Sequence, residues 1–185
     1  MIYEIWDYFK NPKNEPYPSL QNLEKWSLLK KILILNIVFS FILGIVMGII
    51  TTVAGADLGA HGVGEMFKKY PVYIIFFLAV ILAPILEELI FRGTLTFFKN
   101  PKSFKYAYYV SVFLFGAVHL SNFESYADHL WLAPILVLPQ ISAGIFLGFT
   151  RVKLGLVWSM LLHGLHNGIL LTPMLFFKFA GETIP

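Results

Sequence analysis

Five long apolar runs dominate the 185-residue chain: roughly Ile32 to Val53, Tyr73 to Phe98, Tyr106 to Leu120, Leu130 to Thr150 and Leu154 to Phe177. A helix needs about 20 mostly apolar residues to cross a bilayer. The runs are too long for strands and lack strand alternation, which argues against a closed β-barrel. The expected fold is all-α, a polytopic transmembrane helix bundle with about five spans. The third run is short and is expected to extend to Lys105 and Ser121. Composition agrees, at 57% hydrophobic and only 14% charged, where a soluble domain carries about a quarter charged residues. Disorder, a fibrous repeat and an ordinary solvated globule are thereby excluded. With no cysteine, disulfides, thiolate metal sites and a cysteine nucleophile are excluded too.

The first thirty residues differ from the rest. Tyr3, Trp6, Tyr8 and Phe9 stand among charges, and Pro12, Pro16 and Pro18 follow. From Ser19, taken as an N-cap, a helical pattern runs through Leu20, Leu23, Trp26 and Leu29 to Lys30 and Lys31. Aromatic and basic residues together suit a membrane interface. The chain is therefore divided into a cytoplasmic or interfacial N-terminal segment, 1–31, and a transmembrane domain, 32–185. No cleavable signal peptide is expected, because Glu4, Asp7, Glu15 and Glu24 interrupt the start and no apolar h-region exists.

Lysine and arginine set the orientation. With the N-terminus cytoplasmic and all five runs crossing, ten of them fall on the inside: Lys10, Lys13, Lys25, Lys30 and Lys31, then Lys99, Lys102 and Lys105, then Arg151 and Lys153. Three, Lys68, Lys69 and Lys178, fall outside. This is the positive-inside pattern. The small net charge of +3 belongs to such loops, and no nucleic-acid partner is expected.

Against that background the second run holds Glu87, Glu88 and Arg92. Charges at a span centre cost roughly 2.5–3.5 kcal/mol each, so they must face a protein-lined interior and pair. Glu88 and Arg92 are four apart, acid first, the favourable helical pairing. Glu87, about 100° round the helix, is left for other work. Pro84 removes a backbone hydrogen bond to Val80 and is expected to kink the helix just before the pair. The third run carries His119 one turn after Phe115. The fifth carries His163 and Asn167 one turn apart on one face, with His166 nearby.

Depth offers a separate comparison. Counting from the basic loops at 1.5 Å per residue, Glu87 lies roughly 18 Å in, His119 roughly 21 Å, and His163 and Asn167 roughly 15 and 21 Å. In a core about 30 Å thick these groups meet at one level, somewhat past the middle. A desolvated carboxylate beside an imidazole can take a proton from water. A second histidine and an asparagine amide can donate to a developing oxyanion. Structural readings stand beside these. His119 alone, or His163 with Asn167, serves equally as interhelical hydrogen bonding. Glu88 with Arg92 serves as a structural ion pair, His166 as packing or support, and His61 and His129 as solvated loop residues.

Glu87-Glu88-x-x-x-Arg92, Phe115-x-x-x-His119 and His163-x-x-x-Asn167, in this order on separate spans, resemble the three motifs of the CPBP family, the CAAX proteases and bacteriocin-processing enzymes also called Abi. The resemblance implies an intramembrane glutamic-type endopeptidase. By it, Glu87 and His119 activate water, His163 and Asn167 stabilise the oxyanion, and Glu88 and Arg92 hold or tune the motif or contact substrate. It implies no cofactor; the zinc alternative would use His119, His163 and a Glu as ligands. Implied partners are membrane lipids and a membrane-associated peptide or protein substrate, of CAAX or bacteriocin-leader type, in a bacterial cell membrane. Two other functions compete: a non-catalytic immunity or scaffold protein that binds a peptide or partner, and a proton or ion pathway.

Overall fold

The computed structural model describes residues 1–180. Among them the chain is helical, with only an isolated bridge between His61 and Phe123 where the outer loops meet. Helix α1 spans Ile2–Lys10 and α2 spans Asn22–Val53. The cap of α2 is Gln21 rather than Ser19: its side chain and that of Glu24 exchange bonds with the backbone in a capping box. A glutamate three residues past the cap is what makes this reciprocal pair possible. The expected division at residue 31 falls inside α2, which continues unbroken past Lys30 and Lys31.

After α3, Gly62–Lys69, the second apolar run forms one composite span, Val72–Phe97. It begins as α4, Val72–Phe76, widens into a π-helical turn over Phe77–Leu82, resumes as α5, Ala83–Phe91, and tightens into a 3-10 turn over Gly93–Phe97. The π turn stands directly before Pro84. A proline cannot donate to the carbonyl four residues back, and widening the helix there accommodates that loss without breaking the span.

The third run forms α6, Pro101–Val118. It stops at His119, where a 3-10 turn over His119–Asn122 takes over. The fourth run is broken. A 3-10 turn over Tyr126–Leu132 leads into the short α7, Ala133–Leu136, and α8 starts afresh at Leu138 and runs to Lys153, bent by 46° from the preceding helix. Pro134 and Pro139 each occupy a first helical turn, where proline's missing N–H costs least. Helix α9 spans Leu156–Phe179. Gly155, at φ +109°, makes the reversal from α8 to α9, a conformation closed to other residues at little cost.

Among the described residues three helices are long and apolar enough to cross a membrane: α2, the composite span and α9. The bent α7–α8 pair would make a fourth. Helix α6 is the shortfall against the five expected; it has 18 residues and carries Lys102 and Lys105 in its first turns. Helix α8 is the centre of the bundle. Ala143, Phe146, Leu147, Phe149 and Val152 are buried, and α8 packs against α1, α2, α6 and α9. Helix α1 joins this core through Ile5 and Tyr8, and the Tyr109 hydroxyl of α6 lies 2.8 Å from the Phe9 carbonyl and 3.0 Å from that of Lys10, donating to one of them at a time. By contrast Ile34, Phe41, Ile45 and Ile49 of α2 are exposed, as residues facing lipid are.

Candidate active site

Glu88 and Arg92 are fully buried. Arg92 Nη1 lies 3.2 Å from Glu88 Oε1, Nη2 donates to the Gly144 carbonyl at 3.3 Å, and the guanidinium sits 4.1 Å from the Phe115 ring centroid. Its planar cation thus meets a carboxylate, a carbonyl and a π face at once. The other carboxylate oxygen, Glu88 Oε2, lies 2.5 Å from Ser159 Oγ, which is also 2.9 Å from the Leu147 carbonyl. One hydroxyl hydrogen serves one of these acceptors at a time. The backbone round the pair is tied as well: Ser111 Oγ donates to the Phe91 carbonyl at 2.7 Å, and Arg151 Nε to the Arg92 carbonyl at 3.2 Å. The expected i, i+4 pairing is present, and neither residue lines the cavity that Glu87 faces.

His163 stands between the two glutamates. Its Nδ1 is 3.2 Å from Glu88 Oε1, and its Nε2 is 3.8 Å from Glu87 Oε2. A carboxylate only accepts, so the bond to Glu88 places a proton on Nδ1. His119 caps α6, with Nδ1 2.6 Å from the Phe115 carbonyl. A carbonyl likewise only accepts, so the proton again sits on Nδ1 and Nε2 carries the lone pair. Phe115 is the packing piece common to all three motifs, with its ring 4.8 Å from that of His119 and 5.6 Å, edge-on, from that of His163.

Asn167 Nδ2 donates to the Ala79 carbonyl in the π-helical turn at 2.9 Å, which leaves its second amide hydrogen. Beside it, a Cβ on Gly164 would stand 2.7 Å from the Val80 carbonyl, the acceptor whose α-helical donor Pro84 lacks. Glycine is what lets α9 approach this carbonyl. Gly164→Ala is therefore expected to overpack the contact and cost about 1–3 kcal/mol, read as a lower melting temperature in detergent. Gly44→Ala on α2, where a Cβ meets nothing, should be neutral or stabilising by up to about 1 kcal/mol. A Gly164→Ala protein that melts at or above the wild-type temperature would show that the contact is loose.

Glu87, His119, His163 and Asn167 all line one cavity of about 520 Å³, between the composite span, α6, α8 and α9. Glu87 is the carboxylate turned toward it. Its Oε2 is buried without a hydrogen-bond partner in the protein. The remaining wall is largely apolar, with Leu78, Leu82, Leu86 and Leu170 among its members. Such a cavity can hold an extended apolar peptide with a carboxylate, imidazoles and an amide against its backbone.

The sequence did not single out several contributors. Ser159 could have been found, since Ser159, His163 and Asn167 repeat every fourth residue on one face of α9. Ser40 of α2 and Gln140 of α8 also line the cavity, and no local spacing points to either. His166 is buried, lines the cavity and keeps Nδ1 without a partner. His61 is exposed, as expected, and it also stacks edge-on against Phe123 at 5.0 Å and lines the cavity. Partial desolvation of its ring, and secondarily the nearby His119, push its pKa below the usual histidine value. His129, expected in a solvated loop, is half-buried in the 3-10 turn over Tyr126–Leu132, with Nε2 3.1 Å from the Asp57 carbonyl.

Among the described residues no three histidine or acidic side chains are grouped to hold a metal ion.

The sequence pattern of the family described as type II CAAX prenyl endopeptidase Rce1-like matches residues 69–169. The matched stretch is more than half of the chain and includes all seven motif residues. No curated protein and no solved structure matches the chain.

Proposed function

The chain belongs to the type II CAAX prenyl endopeptidase Rce1-like family of membrane peptide hydrolases, and we propose that it cleaves its substrate with a water activated by Glu87 and His119. The observation that carries this reading is the convergence of Glu87, His119, His163 and Asn167, from three separate segments, on one cavity. Glu87, with its unpartnered Oε2, takes a proton from water, aided by the lone pair on His119 Nε2. The hydroxide attacks the scissile carbonyl carbon. The oxyanion receives hydrogen bonds from His163 Nε2–H and the free amide hydrogen of Asn167. His163 must be an imidazolium to do this, because Nδ1–H is engaged with Glu88. Collapse breaks the C–N bond, and the proton held by Glu87 passes to the leaving amine. The products are a carboxylic acid and an amine.

In this reading Glu88 and Arg92 position His163 and do not touch substrate. Prenylated CAAX-type C-terminal peptides and bacteriocin leader peptides are the substrates to be offered. The excess of Lys and Arg on one side of the apolar runs supports a cytoplasmic N-terminus in this reading, with a bacterial cell membrane as the proposed location.

The test is cleavage of such peptides by the purified protein with and without a chelator, with both products identified by mass. Wild-type cleavage should persist with chelator, and His119→Ala should lose about 10²–10⁴-fold in rate. Activity that chelator removes and zinc restores would overturn the metal-free mechanism. Conversion of no peptide at all would count against the activity.

A further inference from the structure

A second pocket, of about 400 Å³, lies where α8 turns into α9, closed by the stretch from Asn14 to Leu20 and by Lys25 in the first turns of α2. Three cations line it, Lys25, Arg151 and Lys153, and no acidic residue does. Among the described residues none of the three has a carboxylate within ion-pair distance, whereas Lys10, Lys13, Lys68 and Lys69 all do. Two acids stand close by: Glu15 directs its carboxylate to Lys13 at 3.7 Å, and Glu4 accepts from the hydroxyl of Tyr17, which lines the pocket.

Two of the cations are also held in place. Arg151 Nε is fixed on the Arg92 carbonyl, so its terminal amino groups remain as a planar fork. Lys153 Nζ donates to the Glu15 carbonyl at 3.0 Å and stands 5.4 and 5.1 Å from the ring centroids of Tyr8 and Tyr17. An ammonium has three hydrogens, so two remain. Like charges gathered without an acid repel one another, and an anion removes that cost.

The level of the pocket identifies the anion's source. Trp26 and Trp158 pack edge-on at 5.2 Å beside it, Leu23 is exposed, and the apolar runs begin just beyond, at Ile32 and Leu154. Tryptophan marks the headgroup layer of a bilayer, and basic pockets between helices at that layer suit phosphate headgroups. We propose that this pocket binds the phosphate of an anionic phospholipid headgroup, with the fork of Arg151 and the ammonium groups of Lys25 and Lys153 as donors.

The test titrates the full-length protein, in neutral detergent, with dioleoylphosphatidylglycerol, dioleoylphosphatidylcholine or sodium phosphate, and follows the melting temperature. Phosphatidylglycerol should raise it saturably and phosphatidylcholine should not. The half-saturating lipid fraction should rise about fivefold for Lys25→Gln and about thirtyfold for the Lys25→Gln/Lys153→Gln pair, at about 1 kcal/mol per lysine. Lys153→Arg should bind like wild type. If the double variant fails to fold, Lys25→Gln alone carries the comparison, since no hydrogen bond depends on that side chain. Lys99→Gln/Lys102→Gln, which removes two cations outside the pocket, should change the midpoint less than twofold. Equal shifts from both lipids, or equal weakening by the Lys99/Lys102 pair, would overturn the site. If sodium phosphate reproduces the whole shift and lipid adds none, the lipid assignment falls.

Discussion

Glu87→Gln is expected to lower the rate of peptide cleavage by about 10²–10⁴-fold, the usual worth of a positioned general base, while leaving the fold intact. Glutamine keeps the size of the side chain and removes its capacity to take a proton. The fold should not notice, because Glu87 Oε2 has no hydrogen-bond partner and the nearest charged contact, His163 Nε2, is 3.8 Å away. The check is a single-turnover rate measured beside a melting curve. A variant that melts like wild type and cleaves within tenfold of it removes Glu87 from the chemistry. The Glu88 carboxylate, closed off by Arg92, Ser159 and His163, could not substitute without rearrangement.

The second large effect is structural. Arg92→Leu is expected to destabilise the protein by about 3–5 kcal/mol, because it strands Glu88 as an unpaired charge in the interior. Both side chains are fully buried, and the guanidinium also packs on Phe115 and bonds to the Gly144 carbonyl. The loss should appear as a lower melting temperature or a lower yield of folded protein in detergent. The double variant Glu88→Leu/Arg92→Leu should recover much of that loss, since an apolar pair needs no partner. A single variant as stable as wild type would mean that Glu88 is already neutral. A double variant no better than the single would mean that packing on Phe115, rather than charge, is what Arg92 supplies. Either way His163 loses its Nδ1 partner in the double variant, so cleavage should fall even where folding recovers.

These two residues show how differently the chain discloses its parts. The pairing of Glu88 with Arg92 was legible because it is local: four residues on a helix fix two side chains on one face. The same rule placed Phe115 under His119 and His163 beside Asn167. Ser159 was legible by that rule too, but a serine in an apolar helix has an ordinary explanation. Where proline interrupts a run the sequence was informative about the place and not about the form. Pro84 marked a disturbance, and the structure resolves it as a π turn. Pro134 and Pro139 lie in a run that read as one span and that is bent by 46°.

From the residues alone followed an all-helical membrane bundle, its charged side, and the six polar positions in three motifs, because hydrophobic run length and helical spacing are properties of contiguous residues. The tertiary structure alone decided which carboxylate faces the cavity and which is sealed behind it. It likewise decided that His163 spans both, that Ser40, Gln140 and His61 share the wall, and that Lys25 lines one pocket with Arg151 and Lys153. Those facts depend on how helices distant in sequence rotate and approach, which rests on packing of particular surfaces such as Gly164 against Val80, and no local pattern encodes it.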